Sequence, residues 1–399
     1  MSVFSFVMTS VPARCLPRLR VLALFGAAVA AAALLSGCGD GRSAAAGLIS
    51  FNTGTCGTTW RHPSPGPQTL KLYNGAAAGA EVDLIDPANG AIYAEVDDIG
   101  PGTTAPMQVD LGSGSYALRC LIEDDDPLTG PVVRIGGHAK GQPAVLPITS
   151  FDLIAPAKEY HGYVTAGLVK LVVQTRTLVS NIRSGNLAAA RAAWLPAHLT
   201  YERLGAAYGT FGDFDDEIDG RADGLVGGVH SAQFTGFYRL EYGLWHGQTA
   251  RQLTGSADQL LHDVLRLQKA FPGLQLALLD IGLRTHEIME NALQFQLSGH
   301  DDYGSGTTLA TTLANITGTE ELLTILHPLL APRYPGLGQV YSWLDRLQAL
   351  LEAQHRPDGS WTPVAQLPTA TREQIDAAAG QLLQDLAPIA VITLPRIAS

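Results

Sequence analysis

The chain has 399 residues, 46% apolar and 16% charged, with 26 Lys and Arg against 37 Asp and Glu for a formal net charge of −11. This is globular composition, and the length suits two domains, or three small ones, better than one. The acidic balance argues against nucleic acid and anionic membrane surfaces as electrostatic partners and leaves cations as the natural counterpart.

Arg14, Arg18 and Arg20 precede an apolar run from Val21 to Leu35, which continues into Ser36-Gly37-Cys38. The run is short for a spanning helix and has the flanks of an export signal. Its tail, LLSGC, resembles the lipobox of bacterial lipoproteins. That resemblance implies removal of residues 1–37 and lipidation of Cys38, which anchors the chain to the cell membrane on its extracytoplasmic face. Cleavage takes away three arginines and no acid, so the net charge of the mature chain becomes −14. Export also places Cys56 and Cys120 in an oxidising compartment. The pair either forms a disulfide or offers two thiolates to a soft metal.

Residues 38–47 are a small, polar linker. Residues 48–148 carry short alternating or β-branched runs (Thr69–Tyr73, Glu81–Ile85, Ala91–Val96, Met107–Leu111, Ser115–Ile122, Val132–Ile135) separated by turns such as Asn74-Gly75 and Gly100-Pro101-Gly102. This pattern predicts a β-sandwich. From residue 150 to 399 the apolar spacing becomes helical, over Ala157–Ser184, Leu187–Tyr208, Ala257–Ala270, Gln275–Leu297, Thr307–His327, Gly338–His355 and Thr371–Leu386. The expected fold class is therefore α+β multidomain: an N-terminal β-sandwich followed by an all-α helical bundle.

Three segments of the helical part place candidate ligands at spacings that metal binding uses, and that helix-surface acids and ion pairs share. In FTGFYRLEYGLW, Tyr238 and Glu241 stand at i and i+3 on one helix face, a spacing with which bundles aim two ligands into a core. Upstream are Glu202 and the acid-rich run beginning at Asp213. Asp215 to Gly220 imitates the start of a calcium loop, but the twelfth position is Val226 where a bidentate Glu is required, so that identity is rejected. Downstream, His286 and Glu290 stand at i and i+4, again on one face. No HExxH string of a zinc peptidase occurs.

Together YERLG (201–205), FGDFDDEIDGR (211–221), FTGFYRLEYGLW (234–245), HEIMENALQFQLSG (286–299), GTTLATTLANITGTEELL (306–323) and PDGSW (357–361) resemble the imelysin-like domain of the EfeO family. The resemblance implies an extracytoplasmic, iron-binding component of an EfeUOB-type uptake system, with an iron permease and a haem peroxidase as partners. It implies a cupredoxin-like character for the β-sandwich, with Cys56, Glu81, Glu95 and Cys120 as metal candidates, for copper as well as iron. The helical ligand set it implies is Glu202, Asp213, Tyr238, Glu241, His286 and Glu290, for Fe3+ or Fe2+. One position departs from the family pattern GFHRLE: Tyr238 stands where the family has His. A phenol has an ordinary pKa of about 10 and must lose its proton to bind well, a step that Fe3+ is best able to force. The exchange either tunes the site toward Fe3+ or marks a weakened paralogue, and His230, His246 or His286 is left to supply the missing imidazole. The alternatives to iron transport are a metal-dependent peptidase of the imelysin class and an adaptor lipoprotein that binds no metal.

Overall fold

The structure is a computed structural model that describes residues 47–395. The export signal, Cys38 and the linker as far as residue 46 lie outside the described residues.

The β part contains β1 (Leu48–Asn52), β2 (Thr55–Cys56), β3 (Gly66–Asn74), β4 (Ala80–Ile85), β5 (Ile92–Ile99), β6 (Thr104–Leu111), β7 (Gly114–Ile122), β8 (Leu128–Thr129) and β9 (Val133–Ile135). One sheet has the order β2-β1-β3-β6, and the other β5-β4-β7-β8 with β9 also on β7. Alternation along the strands turns Leu70, Leu72, Val82, Leu84, Met107, Leu111 and Leu118 into one shared core. Asn74 ends β3 fully buried, and its side-chain amide donates to the Ala78 and Ile99 carbonyls at 2.8 and 2.7 Å, which closes the turn the sequence signals there. Tyr116 is buried and donates to the Gly112 carbonyl at 3.0 Å.

Cys56 on β2 and Cys120 on β7 are joined by a disulfide that ties one sheet to the other across a sequence separation of 64. Closing a loop of that length contributes about 4 kcal/mol in the chain-entropy account. Both sulfurs are thus consumed, and the expectation that Cys56 and Cys120 act as metal ligands is corrected: neither is a thiolate.

The helical part contains α1 (Ser150–Arg183), α2 (Leu187–Glu202), α3 (Tyr208–Phe211), α4 (Asp213–Asp219), α5 (Gly236–Trp245), α6 (Ala250–Ala270), α7 (Leu278–Asn291), α8 (Thr308–Leu330), α9 (Leu337–Glu352) and α10 (Thr369–Ile392). Thr149 opens α1 with a capping box, its backbone N–H donating to the Asp152 carboxylate at 2.8 Å. A second box, Thr249 with Gln252, opens α6. The helices pack pairwise, α1 on α2 and α6, α7 on α8 and α10, α9 on α10. Their inward faces form one core that includes Trp194, Tyr201, Phe237, Leu260, Phe271, Leu326 and Leu344. Among the described residues only α10 has the length and apolarity to cross a membrane. It instead buries Ile375, Leu382, Leu386 and Ile389 in the bundle.

Two local features build the site described next. Acidic residues fill the first turn of α4, where they complement the positive end of the helix dipole. Between α4 and α5 the chain returns so closely that a Cβ on Gly236 would stand 2.1 Å from the Ile218 carbonyl oxygen, and Gly236 itself has φ +78°. Only glycine meets both conditions.

Candidate metal centre

The end of α2, the end of α4, the first turns of α5 and the loop before α8 converge inside the bundle. Over the last turn of α2, His198 and Glu202 stand at i and i+4 on one face. Asp219 is the last residue of α4, Tyr238 and Glu241 lie on α5, and Asp301 sits in the loop between α7 and α8. His198, Glu202, Tyr238, Glu241 and Asp301 are each at most 4% exposed. A side chain placed so deep is held by specific partners or by a bound ion.

His198 Nε2 lies 3.1 Å from Glu202 Oε1 and 3.1 Å from Asp219 Oδ1. It is nevertheless off the line of a good hydrogen bond to either, and Asp219 Oδ1 is likewise without a bonded partner. One ligand atom from each of these three residues falls within 4.8 Å of the others. The His198 ring is wedged among Trp194, Phe237 and Tyr238, with centroids 4.8, 5.4 and 5.1 Å away. Tyr238 spans the site: its hydroxyl is 3.5 Å from Glu202 Oε1 and 3.3 Å from Asp301 Oδ2. Around this inner group, the Asn315 amide nitrogen donates to Glu202 Oε2 at 2.9 Å when turned toward it. Gln296 donates to Asp301 Oδ2 at 3.0 Å. Glu241 Oε1 accepts from the backbone N–H groups of Tyr303 and Ser305 at 3.2 and 3.0 Å, which leaves Glu241 Oε2 buried without a partner. Asp301 Oδ1 is unbonded as well, with Arg221 Nε 3.8 Å away. A one-turn π-helix, Ala292–Gln296, follows α7 and brings Gln296 to its place.

Electrostatics follow from burial. Desolvation raises Asp219 well above the usual carboxylate range, although the charge of His198 opposes it. Desolvation likewise pushes Glu241 up to about 7 against the hydrogen bonds from Ser305, and Asp301 up to about 6 against Arg221. For His198, burial disfavours the charged form, but the Asp219 and Glu202 carboxylates outweigh it and raise the pKa well above the usual value. Burial, reinforced by Asp219, Glu202, Asp301 and Glu241, holds Tyr238 firmly as a phenol. Without a cation, this cluster carries protons. A multivalent cation supplies the same compensation and finds imidazole, carboxylate and phenol oxygen donors together.

Of the residues expected from the sequence, the structure brings together Glu202, Tyr238 and Glu241. Asp213 is exposed at the start of α4, about 9 Å of helix rise before Asp219, so of these two acids Asp219 reaches the centre, while Asp215 between them turns to the Tyr201 hydroxyl. His286 and Glu290 pair with each other at 3.8 Å on α7, with the Glu290 side chain 59% exposed, and belong to the surface. His246 caps α5 with its Nδ1 on the Tyr242 carbonyl, and His230 is exposed, so neither supplies the imidazole. His198 does, from the helix that carries Glu202. Its signal was the same i, i+4 His and Glu spacing applied to 286 and 290. Asp301 had no such signal, since Ser298-Gly-His-Asp-Asp-Tyr-Gly304 is loop sequence without periodicity.

In the β part, Glu81 and Glu95 do approach each other, joined by Asp83, with one carboxylate oxygen from each within 4.8 Å. Asp83 accepts from Arg119 Nε and Nη2 at 3.0 and 2.7 Å. Val82 pairs with Cys120 and faces the sandwich core, so the pleat puts Glu81 and Asp83 on the other face from the disulfide. The expected four-residue set of two cysteines and two glutamates is therefore divided between two faces.

The profile of the imelysin (peptidase M75) family matches residues 156–389, the bundle that holds the centre. Curated relatives named "Iron uptake system component EfeO" include one from Yersinia pseudotuberculosis, 29% identical over 319 residues, which cover 80% of this chain and 83% of the relative. Another, from Escherichia coli O157:H7, is 28% identical over 302 residues, 75% of this chain and 78% of the relative. A solved structure described as an iron-regulated protein A precursor from Parabacteroides distasonis covers 61% of this chain and 93% of its own at 12% identity, with a TM-score of 0.44. With a β-sandwich ahead of a matching helical bundle, the chain belongs to the imelysin family in its EfeO-type form.

Proposed function

We propose that the protein is an extracytoplasmic, lipid-anchored iron-binding component of an EfeUOB-type uptake system. It captures iron in the helical bundle and passes it to a membrane permease that works beside a haem peroxidase. The observation that carries this reading is the trio His198, Glu202 and Asp219, with one ligand atom from each within 4.8 Å of the others and with His198 Nε2 and Asp219 Oδ1 buried without a hydrogen-bond partner. The names of the EfeO relatives and the lipobox-like LLSGC tail at Cys38 support the pathway and the anchor. Iron is cargo here: it enters as the protons on His198, Asp219, Glu241 and Tyr238 leave, and tyrosinate ligation favours Fe3+.

Titration of the metal-free mature protein with Fe3+ tests this directly. Saturable binding with a visible phenolate-to-iron charge-transfer band is expected, with Tyr238→Phe losing the band and His198→Ala binding iron at least tenfold more weakly, the loss of about one good ligand interaction. Absence of binding would favour the adaptor reading. Cleavage of casein that stops on addition of a chelator would favour the peptidase.

A further inference from the structure

A separate cavity of about 600 Å3 opens between the segment before α5, α5 itself and α6. That volume is within the usual range for a small-molecule site. Its polar lining consists of the Ser231, Thr235 and Ser256 hydroxyls, the Gln248 and Gln259 amides, His230 and Arg239, with Phe234 and Val229 as apolar wall. No carboxylate lines it, in a chain whose acids outnumber its lysines and arginines by 11.

Arg239 is the centre of this cavity. Its Nη2 donates to Gln248 Oε1 at 3.0 Å, while Nη1 is buried with no hydrogen-bond partner. The guanidinium lies over Gly243, where a Cβ would come within 2.9 Å of Nη1, so the sequence leaves room for it. Burial, then Tyr242, are the influences on its charge, and no acid is among them. A half-buried guanidinium with no acidic partner, set among neutral side chains, leaves its charge for a bound anion to balance.

We infer that this cavity is a binding site for a small hydroxycarboxylate, one carboxylate seated on Arg239 and the hydroxyl and remaining oxygens on Ser231, Ser256 and Gln248. The choice of a hydroxycarboxylate, a class of chelator that keeps ferric iron in solution, rests on the iron-capture reading. The site itself does not. Tyr238 faces the metal centre and the next residue, Arg239, faces the cavity, so one helix presents a ligand for iron on one side and a seat for its chelator on the other.

The test is calorimetric titration of the metal-free mature protein with citrate, which separates this site from iron binding. Saturable binding is expected, weakened about tenfold or more in Arg239→Gln, as for loss of a charge-assisted hydrogen bond. Ser256→Leu, which fills the cavity from α6, is expected to weaken it as well and carries the test if Arg239→Gln fails to fold. Tricarballylate, citrate without its hydroxyl, is expected to bind more weakly than citrate. No saturable citrate binding, binding indifferent to both substitutions, or inorganic phosphate binding as tightly as citrate would overturn the inference. Citrate binding in a protein that takes up no Fe3+ would retain the site and reject the iron reading.

Discussion

At the residue scale, the centre exchanges the duties of two rings. Tyr238 occupies the first position of the YxxE pair, and the imidazole comes from His198 on α2, 5.1 Å away between ring centroids. A histidine flanked by Asp219 and Glu202 acts as an internal cation while metal is absent, at the cost of holding a charge in the core. The consequence for stability has a definite sign. Glu241 and Asp301 ionise near 7 and 6 in the folded chain but near 4 when unfolded, so the folded state binds more protons between those values and loses stability as pH rises through that window. The contribution of His198 is full below the ordinary histidine value of about 6.5 and is lost as pH rises through its raised folded value. Both effects act in one direction. Chemical denaturation of the metal-free protein should show lower stability at pH 7.5 than at pH 5, and Glu241→Gln should shrink the difference by on the order of 2–3 kcal/mol. A difference untouched by that substitution would mean that Glu241 is not held protonated in the bundle.

At the element scale, the junction of α4 and α5 decides whether Asp219 meets the other ligands. Gly236→Ala forces a side chain into left-handed backbone, a strain of about 1–3 kcal/mol, and drives a Cβ against the Ile218 carbonyl. Lower stability in denaturant together with weaker iron binding is expected. Full stability and unchanged affinity would show that this close approach does not position Asp219. The long helices α1, α2 and α6 to α10 were legible because their apolar residues recur at helical spacing over several turns, and the sandwich because its strands alternate between turn signals. The short α4 was not, since Ile218 is its one buried residue and the acids that stabilise it at the helix start look the same as those of a solvated loop. For the same reason Asp219 was not among the residues expected at the centre: charge is visible in sequence, and the end of a helix that enters the core is not.

At the scale of the whole molecule, a disulfide-tied sandwich and a helical bundle keep separate cores, and the candidate centre with His198 lies in the bundle. Composition indicates a cation as counterpart, and the family resemblance indicates iron. The candidate ligands come from α2, α4, α5 and the loop before α8, a set that becomes visible only when distant segments are folded together. The central claim is that one buried centre, formed by His198, Glu202, Asp219, Tyr238, Glu241 and Asp301, holds the iron. Crystals of the mature protein loaded with Fe3+ and measured at the iron absorption edge test it most directly: an anomalous peak bounded by His198, Asp219 and Glu241 is the predicted result, and iron bound only elsewhere, at His286 and Glu290 or on the sandwich, would contradict it.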